Sequence, residues 1–225
     1  MATVESARFE LLETLRLERG EYSLLECHLD RLAHSARYFG IPLALPVVRA
    51  ALDEHRDRFP HELRRVRLLV SQDGAPRVES AALPPLPAPP LRFVLADTPI
   101  DRHDRWLLHK TTRRSAYEQR RQPHPGMFDV LLWNEQDELT EFTIGNLVID
   151  QAGTCYTPPR ESGLLAGTLR AELLVRGAIH ERILTRADLA SAERIWLINS
   201  VRGWVLVQLA DTTAHLESGE AGDAR

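Results

Sequence analysis

The stretch ALPPLPAPPL, residues 82–91, divides this chain of 225 residues into two parts. Its five prolines fix φ and remove backbone amide donors, so it can neither continue a helix nor pair within a sheet. We therefore predict a small N-terminal α/β lobe over residues 1–81, a linker over 82–91 and a larger C-terminal lobe over 92–210. Residues 211–225 are polar and predict a disordered tail.

Hydrophobic spacing predicts the elements on each side of this segment. The N-terminal part contains strands over 9–16, 63–71 and 76–80, and helices over 26–39 and 46–59. The C-terminal part contains strands over 91–96, 128–133, 147–150, 155–156, 194–198 and 204–209, and helices over 110–121 and 167–180. The apolar run 106–108 is expected to be a buried strand that leads into the first of these two helices.

Composition excludes several classes of protein. The net charge of -4, from 28 basic and 32 acidic residues, gives no positive field for nucleic acid or an anionic membrane surface. Two cysteines cannot form a disulfide framework, and no apolar run approaches the ~20 residues of a membrane span. No histidine and cysteine spacing matches a metal site, so no metal is predicted. The first residues show no signal-peptide pattern, and we expect a cytoplasmic protein.

The chain contains a single lysine, Lys110, beside 27 arginines. Arginine replaces lysine wherever only positive charge is needed, but it cannot offer a neutral amine to a carbonyl. Lys110 follows an apolar run and precedes Arg113 and Arg114, and both burial and positive neighbours lower the pKa of a lysine. Lys110 is therefore a candidate for Schiff-base chemistry, although a composition biased towards arginine would also leave a lone lysine on the surface.

Further polar groups complete a candidate site. Glu141 opens an apolar stretch, where a buried carboxylate needs a cationic partner. Gly167 and Thr168 start a helix whose free amides suit an anion. The segment INSVRGW, residues 198–204, places a hydroxyl and a guanidinium directly after a strand. An amine, a carboxylate and two anion cradles match the needs of pyridoxal phosphate.

Six segments follow one another between about residues 9 and 209: FELLETLR, HLDRLAHSARYFG, HKTTRR, ELTEFTIGNLV, SGLLAGTLR and INSVRGW. In this order they resemble the class IV pyridoxal-phosphate enzymes of fold type IV, most of all their aminodeoxychorismate lyase branch. The resemblance implies a two-lobed α/β (α+β) fold like that of D-amino acid aminotransferase, and a homodimer. Two departures are Ala166, where a proline is common, and Ser115, where many relatives place a tyrosine near the cofactor.

The resemblance also implies roles for individual residues. Lys110 condenses with the cofactor aldehyde and then transfers protons, and Glu141 pairs with the pyridine nitrogen. The residues expected to contact the cofactor are Arg31, Lys110, Glu141, Asn146, Gly167, Thr168, Leu169 and Ser200. Those expected to bind substrate carboxylates or to line the substrate site are Arg16, Arg113, Asn199 and Arg202.

The predicted reaction releases pyruvate from 4-amino-4-deoxychorismate and forms 4-aminobenzoate for folate biosynthesis. Two alternatives stay open at this point. A class IV aminotransferase acting on branched-chain or D-amino acids would use the same lysine and cofactor. A catalytically inactive binding or partner subunit would lack bound cofactor.

Overall fold

A computed structural model describes residues 9–210. The first sheet is built around a strand in which every second side chain is buried and most of these are apolar. This strand, β1 (Leu11–Glu18), directs Leu11, Leu15 and Leu17 towards two helices. The sheet has the order β2-β1-β3-β4 and is antiparallel throughout. Its other strands are β2 (Glu21–Tyr22), β3 (Arg64–Val70) and β4 (Pro76–Ala82), and its helices are α1 (Leu25–Phe39) and α2 (Leu45–Asp57).

The second sheet closes on itself. It has the order β10-β9-β8-β11-β12-β5-β6-β7, and β7 also pairs with β8, so six of its strands form a barrel. Its strands are β5 (Arg92–Leu95), β6 (Asp129–Trp133), β7 (Leu139–Phe142), β8 (Gly145–Gln151), β9 (Thr154–Thr157), β10 (His180–Glu181), β11 (Arg194–Asn199) and β12 (Gly203–Leu209). Its helices are α3 (Arg105–Leu108), α4 (Ser115–Arg121), α5 (Thr168–Val175) and α6 (Arg186–Ser191).

Each of the two sheets has its own hydrophobic core. One cluster packs β1 and β3 against α1 and α2, with Leu15, Leu29, Leu52 and Val66 fully covered. A second fills the barrel around Phe93 and Phe142, whose rings meet edge to face. No helix within residues 9–210 is long and apolar enough to cross a membrane. The predicted disordered tail, 211–225, lies outside the described residues.

The predicted strand over 106–108 and helix from Lys110 are wrong. Residues 105–108 form α3, because the Asp104 side chain accepts a hydrogen bond from the Trp106 amide at 2.9 Å and caps its start. Lys110 lies in an extended segment whose carbonyl accepts from the Leu12 amide of β1 at 3.0 Å. Pairing with β1 therefore delays the helix, and α4 begins only at Ser115.

The helix predicted over 167–180 is also shorter than expected. It ends at Val175, and Gly177 adopts a left-handed φ of 65°. The amides of Gly177 and Ala178 donate to Leu174 and Leu173, which completes the turn that ends the helix. Residues 180–181 then pair with β9 instead of continuing the helix. β7 and α6 were not predicted.

Candidate active site

A cavity of about 630 Å³ lies where the two sheets meet. Thr14 of β1 and Arg67 of β3 line one side, and Glu141 of β7 and Asn146 of β8 line the other. Residues 83–87 of the proline-rich segment form part of the wall. The predicted site residues that line this cavity are Arg31, Lys110, Glu141, Asn146, Gly167, Thr168, Asn199, Ser200 and Arg202.

Three predicted site residues do not line the cavity. Arg16 instead donates to Glu18 Oε2 at 2.8 Å and to the Val201 carbonyl at 3.2 Å. Arg113 is exposed, with its guanidinium carbon 4.5 Å from the centre of the Trp106 ring. The Leu169 side chain packs in a hydrophobic cluster, although its amide belongs to the first turn of α5. For Arg16 and Arg113 these competing partners explain why the structure does not bring them into the site.

Lys110 reaches the cavity because its backbone pairs with β1. The side chain keeps partial exposure towards the cavity while protein surrounds it. Burial, followed by the positive charge of Arg31, lowers the pKa of Lys110 to about 8, against an opposing effect of Glu13. A neutral amine is therefore accessible close to neutral pH, as a nucleophile for an aldehyde requires.

Glu141 is a buried carboxyl group that faces the same cavity. Its Oε1 accepts from the Tyr117 hydroxyl at 2.8 Å and from the Leu165 amide at 3.0 Å. Burial raises the pKa of Glu141 to about 7, although these two hydrogen bonds and the charge of Lys110 oppose the shift. Within residues 9–210 no cationic side chain forms a salt bridge with it, so its Oε2 is available to a cationic donor in the cavity.

Asn146 holds the loop that leads into α5. Its Nδ2 donates to the Leu165 carbonyl at 2.8 Å and lies 3.4 Å from Glu141 Oε2. A Cβ at Gly167 would lie 2.0 Å from Asn146 Oδ1, so a side chain cannot be accommodated there. No side chain caps the N-terminus of α5. The amides of its first turn are therefore free to meet an anion near Thr168.

Arg31 is fixed by a buried carboxylate that the sequence analysis missed. Its Nε lies 2.8 Å from Glu13 Oε1 and its second amino group 2.5 Å from Oε2, which makes a bidentate pair. A further donor of Arg31 reaches the Ala166 carbonyl at 3.1 Å. Glu13 also accepts from His28 Nδ1 at 2.6 Å. Arg31 is thus held between β1 and the loop before α5, with its cationic group at the cavity wall.

Both missed residues left a signal in the sequence. Glu13 lies on the same face of β1 as Leu11, Leu15 and Leu17, and on this apolar face a charged group needs a partner. His28 lies three positions before Arg31 and therefore on the same face of α1. The spacing within either segment does not reveal that His28 pairs with Glu13, because this contact joins two different elements.

Arginines cluster at one end of the cavity. Arg65 and Arg67 of β3 line it together with Arg202, and Arg65 lies opposite Arg16 in the β1–β3 pairing. Partial burial, followed by the charges of Arg65 and Arg16, lowers the pKa of Arg202. Arg67 donates to Glu79 at 2.6 Å, whereas neither Arg65 nor Arg202 forms a side-chain hydrogen bond or salt bridge within residues 9–210. This end of the cavity can attract an anionic group.

The turn after β11 has the structure of a small polar loop. Asn199 Oδ1 accepts from the amides of Val201 and Arg202 at 3.0 and 2.8 Å, which fixes the turn. Ser200 Oγ lies 3.4 Å from the Thr14 carbonyl and faces the cavity. The described residues contain no group of three or more histidine, cysteine, aspartate or glutamate side chains arranged to hold a metal ion.

A family model described as "Amino-transferase class IV" matches residues 10–210. The chain belongs to the class IV aminotransferase family. A Schizosaccharomyces pombe protein named "Putative aminodeoxychorismate lyase" is 31% identical over 201 residues, which cover 85% of this chain and 86% of the relative. This family consists of pyridoxal-phosphate-dependent enzymes, so the predicted family and enzymatic character are confirmed.

Solved structures confirm the predicted fold class. The crystal structure of a "Putative amino-acid aminotransferase" from Mesorhizobium loti has 34% sequence identity and a TM-score of 0.84, over 90% of this chain and 100% of that chain. The pyridoxal-phosphate-bound form of "A hypothetical aminotransferase from Mycobacterium tuberculosis" has 25% identity and a TM-score of 0.75, over 89% of this chain and 81% of that chain.

Proposed function

We propose that this chain is a pyridoxal-phosphate-dependent aminodeoxychorismate lyase, which converts 4-amino-4-deoxychorismate into 4-aminobenzoate and pyruvate for folate biosynthesis. The observation that carries the proposal is the placement of Lys110, the single lysine, and the buried Glu141 in one cavity with Arg31 and Thr168. The Schizosaccharomyces pombe relative named "Putative aminodeoxychorismate lyase", which is 31% identical over 201 residues, supports the choice of reaction.

The residues present fit the cofactor at each of its polar ends. Arg31, the free amides at Thr168 and Leu169, and the hydroxyls of Thr168 and Ser200 would hold the phosphate. The absence of a side chain at Gly167 leaves the loop backbone open to a close approach. Glu141 Oε2 would accept from the pyridine nitrogen, and Lys110 Nζ would bond to the aldehyde carbon.

Bound pyridoxal phosphate supplies an electron sink for the pair left when a bond to the amine-bearing carbon breaks. Once the substrate amine has replaced Lys110 at the aldehyde carbon, the freed Nζ would take the proton from the amine-bearing carbon, because its lowered pKa makes a neutral amine available. One proton leaves this carbon, and the ring becomes aromatic as the bond between the neighbouring ring carbon and the enolpyruvyl oxygen breaks. One proton then converts the methylene of the released enolpyruvate into the methyl group of pyruvate. Lys110 can therefore return the proton that it removes, so the reaction consumes no further acid.

The cluster of arginines favours a substrate with more than one carboxylate. Arg65 and Arg202 face the cavity without a carboxylate partner among the described residues, so a negatively charged substrate would supply it. Aminodeoxychorismate has two carboxylates, whereas a branched-chain amino acid has one. We propose Arg202 and Arg65, with Asn199 shaping the turn, as the substrate end of the cavity.

An amino-acid aminotransferase is the second candidate, because the Mesorhizobium loti structure with 34% identity is named "Putative amino-acid aminotransferase". The two reactions differ in their products. Incubation with aminodeoxychorismate yields 4-aminobenzoate and pyruvate if the chain is a lyase. Incubation with an amino acid and a keto acid yields a new amino acid if it is an aminotransferase.

A labelling experiment tests the cofactor directly. Borohydride reduction of the loaded protein should remove the visible absorption band and attach the pyridoxyl group to the peptide that contains Lys110. Because the chain has no other ε-amino group, Lys110→Arg is a matched control that keeps the charge and should acquire no pyridoxyl group at position 110 on reduction. A protein that stays colourless with excess pyridoxal phosphate would overturn the proposal and favour an inactive binding subunit.

We also propose that the enzyme is a homodimer, as the family resemblance implies. Light scattering would then give about twice the chain mass of 25.5 kDa, and a mass equal to one chain would contradict the expectation.

A further inference from the structure

His28 lies directly behind the hydroxyl group that is proposed to bind the cofactor phosphate. Its Nδ1 lies 2.6 Å from Glu13 Oε2, and its Nε2 lies 3.3 Å from Thr168 Oγ1. All three side chains are buried, with 1% of Glu13, 1% of His28 and 4% of Thr168 exposed. Only Thr168 lines the cavity. The three residues thus connect β1 and α1 to the start of α5 and to the cavity.

The charge of Glu13 determines where His28 carries its proton. Burial raises the pKa of Glu13, but the charge of Arg31, with hydrogen bonds from Arg31 and His28, lowers it to about 2. Glu13 is therefore a carboxylate that only accepts hydrogen bonds. His28 Nδ1 must carry a hydrogen and donate it.

The second ring nitrogen of His28 has no proton while the cavity holds no anion. Burial lowers the pKa of His28, and the positive charges of Arg31 on α1 and Lys110 on the segment after α3 lower it further, against the effect of Glu13 on β1. From α5 the imidazole faces Thr168, which does not titrate. Nε2 is then an acceptor, and the Thr168 hydroxyl donates its single hydrogen to it.

This arrangement conflicts with phosphate binding. The oxygens of a phosphate dianion are hydrogen-bond acceptors, and Thr168 cannot give one hydrogen both to His28 and to a phosphate oxygen. Turning the hydroxyl towards the phosphate would leave Nε2 buried without a donor. Protonation of Nε2 removes the conflict, because the imidazolium then donates to Thr168 Oγ1 and the hydroxyl hydrogen points into the cavity.

We propose that His28 takes up one proton from the solvent when pyridoxal phosphate binds, and thereby turns the Thr168 hydroxyl into a donor to the phosphate. This inference rests on the proposed function. The negative charge of the phosphate favours the imidazolium and offsets the charges of Arg31 and Lys110. His28 is a positioning residue, since it acts on the cofactor through Thr168.

Nitrogen-15 NMR of the histidines gives a direct measurement on the wild-type protein. Without cofactor, the His28 ring should show one protonated nitrogen and one bare nitrogen. With pyridoxal phosphate at pH 7.5, both nitrogens should carry protons. The signal is assigned as the one that disappears in His28→Gln. This assignment requires a folded His28→Gln, which thermal melting of the variant checks.

The ratio of the dissociation constants of pyridoxal and pyridoxal phosphate gives the second measurement. This ratio isolates the phosphate, because Lys110 bonds to both compounds. Between pH 7 and 9 the phosphate is a dianion, its second pKa being about 6. In the wild type, the dissociation constant of pyridoxal divided by that of pyridoxal phosphate should fall about tenfold for each unit by which the pH rises, as long as binding of the phosphate takes up one proton.

Two substitutions separate the contacts of His28. The Gln amide of His28→Gln reaches towards Thr168 and donates without taking up a proton, so its ratio should not depend on pH. The shorter His28→Asn keeps a donor for Glu13 but offers no acceptor to Thr168, so the Thr168 hydroxyl is free to turn towards the phosphate and this ratio should also be independent of pH. Thermal melting of each variant without cofactor checks that it is folded.

The outcomes separate this inference from the proposed function. A visible band at Lys110 with a neutral His28 and a pH-independent ratio in the wild type would overturn the inference alone. A protein that forms no visible band would overturn both. A doubly protonated His28 in the loaded enzyme, with the pH dependence lost in His28→Gln, is the result expected.

Discussion

Replacing Glu13 by Gln should destabilise the protein without cofactor, because it removes the buried partner of Arg31. The pKa of Glu13 falls from an ordinary 4.5 to about 2 in the folded protein. At about 1.4 kcal/mol per pKa unit, this difference corresponds to about 3 kcal/mol of folding free energy. The Gln amide nitrogen would also face the donors of Arg31 and His28. We therefore expect the free energy of unfolding at pH 7 to fall by about 3 kcal/mol.

Urea denaturation and thermal melting measure this effect. A loss of about 3 kcal/mol would lower Tm by roughly 10 °C in a protein of this size. Because the pKa is lower in the folded state, the stabilisation is complete above pH 4.5 and disappears as the pH falls towards 2. The difference between wild type and Glu13→Gln should therefore be constant near neutral pH and should narrow below pH 4.5.

The exposed pair of Glu26 and Arg49 provides a matched control. The two side chains are 68% and 41% exposed and form a bidentate contact similar to that of Glu13 and Arg31. Solvent screens such a pair, so Glu26→Gln should leave the unfolding curve unchanged. Equal effects of the two substitutions, or a change below about 1 kcal/mol for Glu13→Gln, would refute the reasoning that burial makes the inner pair important.

Three further predictions concern the cavity. Glu141→Gln should make the cofactor-free protein more stable than the wild type above pH 7. Folding raises the pKa of Glu141 from 4.5 to about 7, so the free energy of unfolding of the wild type falls as the pH increases between these two values. Urea titrations of both proteins from pH 5 to 8 measure this difference. Arg65→Ala and Arg202→Ala should each raise KM for aminodeoxychorismate by about 10- to 100-fold, because each loses a charge-assisted contact with the substrate. The cofactor spectrum of both variants should be unchanged. Arg113 lies outside the cavity, so the control Arg113→Ala should not change KM. Gly167→Ala should weaken pyridoxal phosphate binding, measured by absorbance titration, because its Cβ would lie 2.0 Å from Asn146 Oδ1; Gly126→Ala, with nothing within 4 Å, is the control.

Local sequence patterns predicted most of the elements because each signal was confined to one segment. The apolar spacing of α1 and the glycine after it gave that helix its bounds within one residue. The error at Lys110 had a different origin. Its segment is extended because the Leu12 amide, almost a hundred residues away in the chain, donates to it. Spacing within the segment carries no information about that partner.

The site also contains residues that the sequence could predict and residues that it could not. Lys110, Glu141 and Thr168 could be predicted because ordered motifs mark them. Glu13 and His28 meet only when β1 and α1 pack together, so neither position alone indicated a function. Arg65 was missed because a charged residue in a strand usually faces solvent, and only the neighbouring lobe turns that face into a cavity wall.

The electrostatics of Lys110 and Glu141 explain why a cofactor should stabilise this fold. Burial lowers the pKa of the lysine to about 8 and raises that of the glutamate to about 7. Desolvation therefore leaves the charged and neutral forms of each group similar in free energy near neutral pH. Pyridoxal phosphate would bring a pyridine N–H to Glu141 and an anion to Arg31, and its aldehyde would bond to Lys110. Each contact would satisfy a polar group that the cavity partly or fully buries. Binding should therefore raise Tm, and the increase should be smaller in Glu141→Gln, which cannot form the contact between a carboxylate and the pyridine N–H.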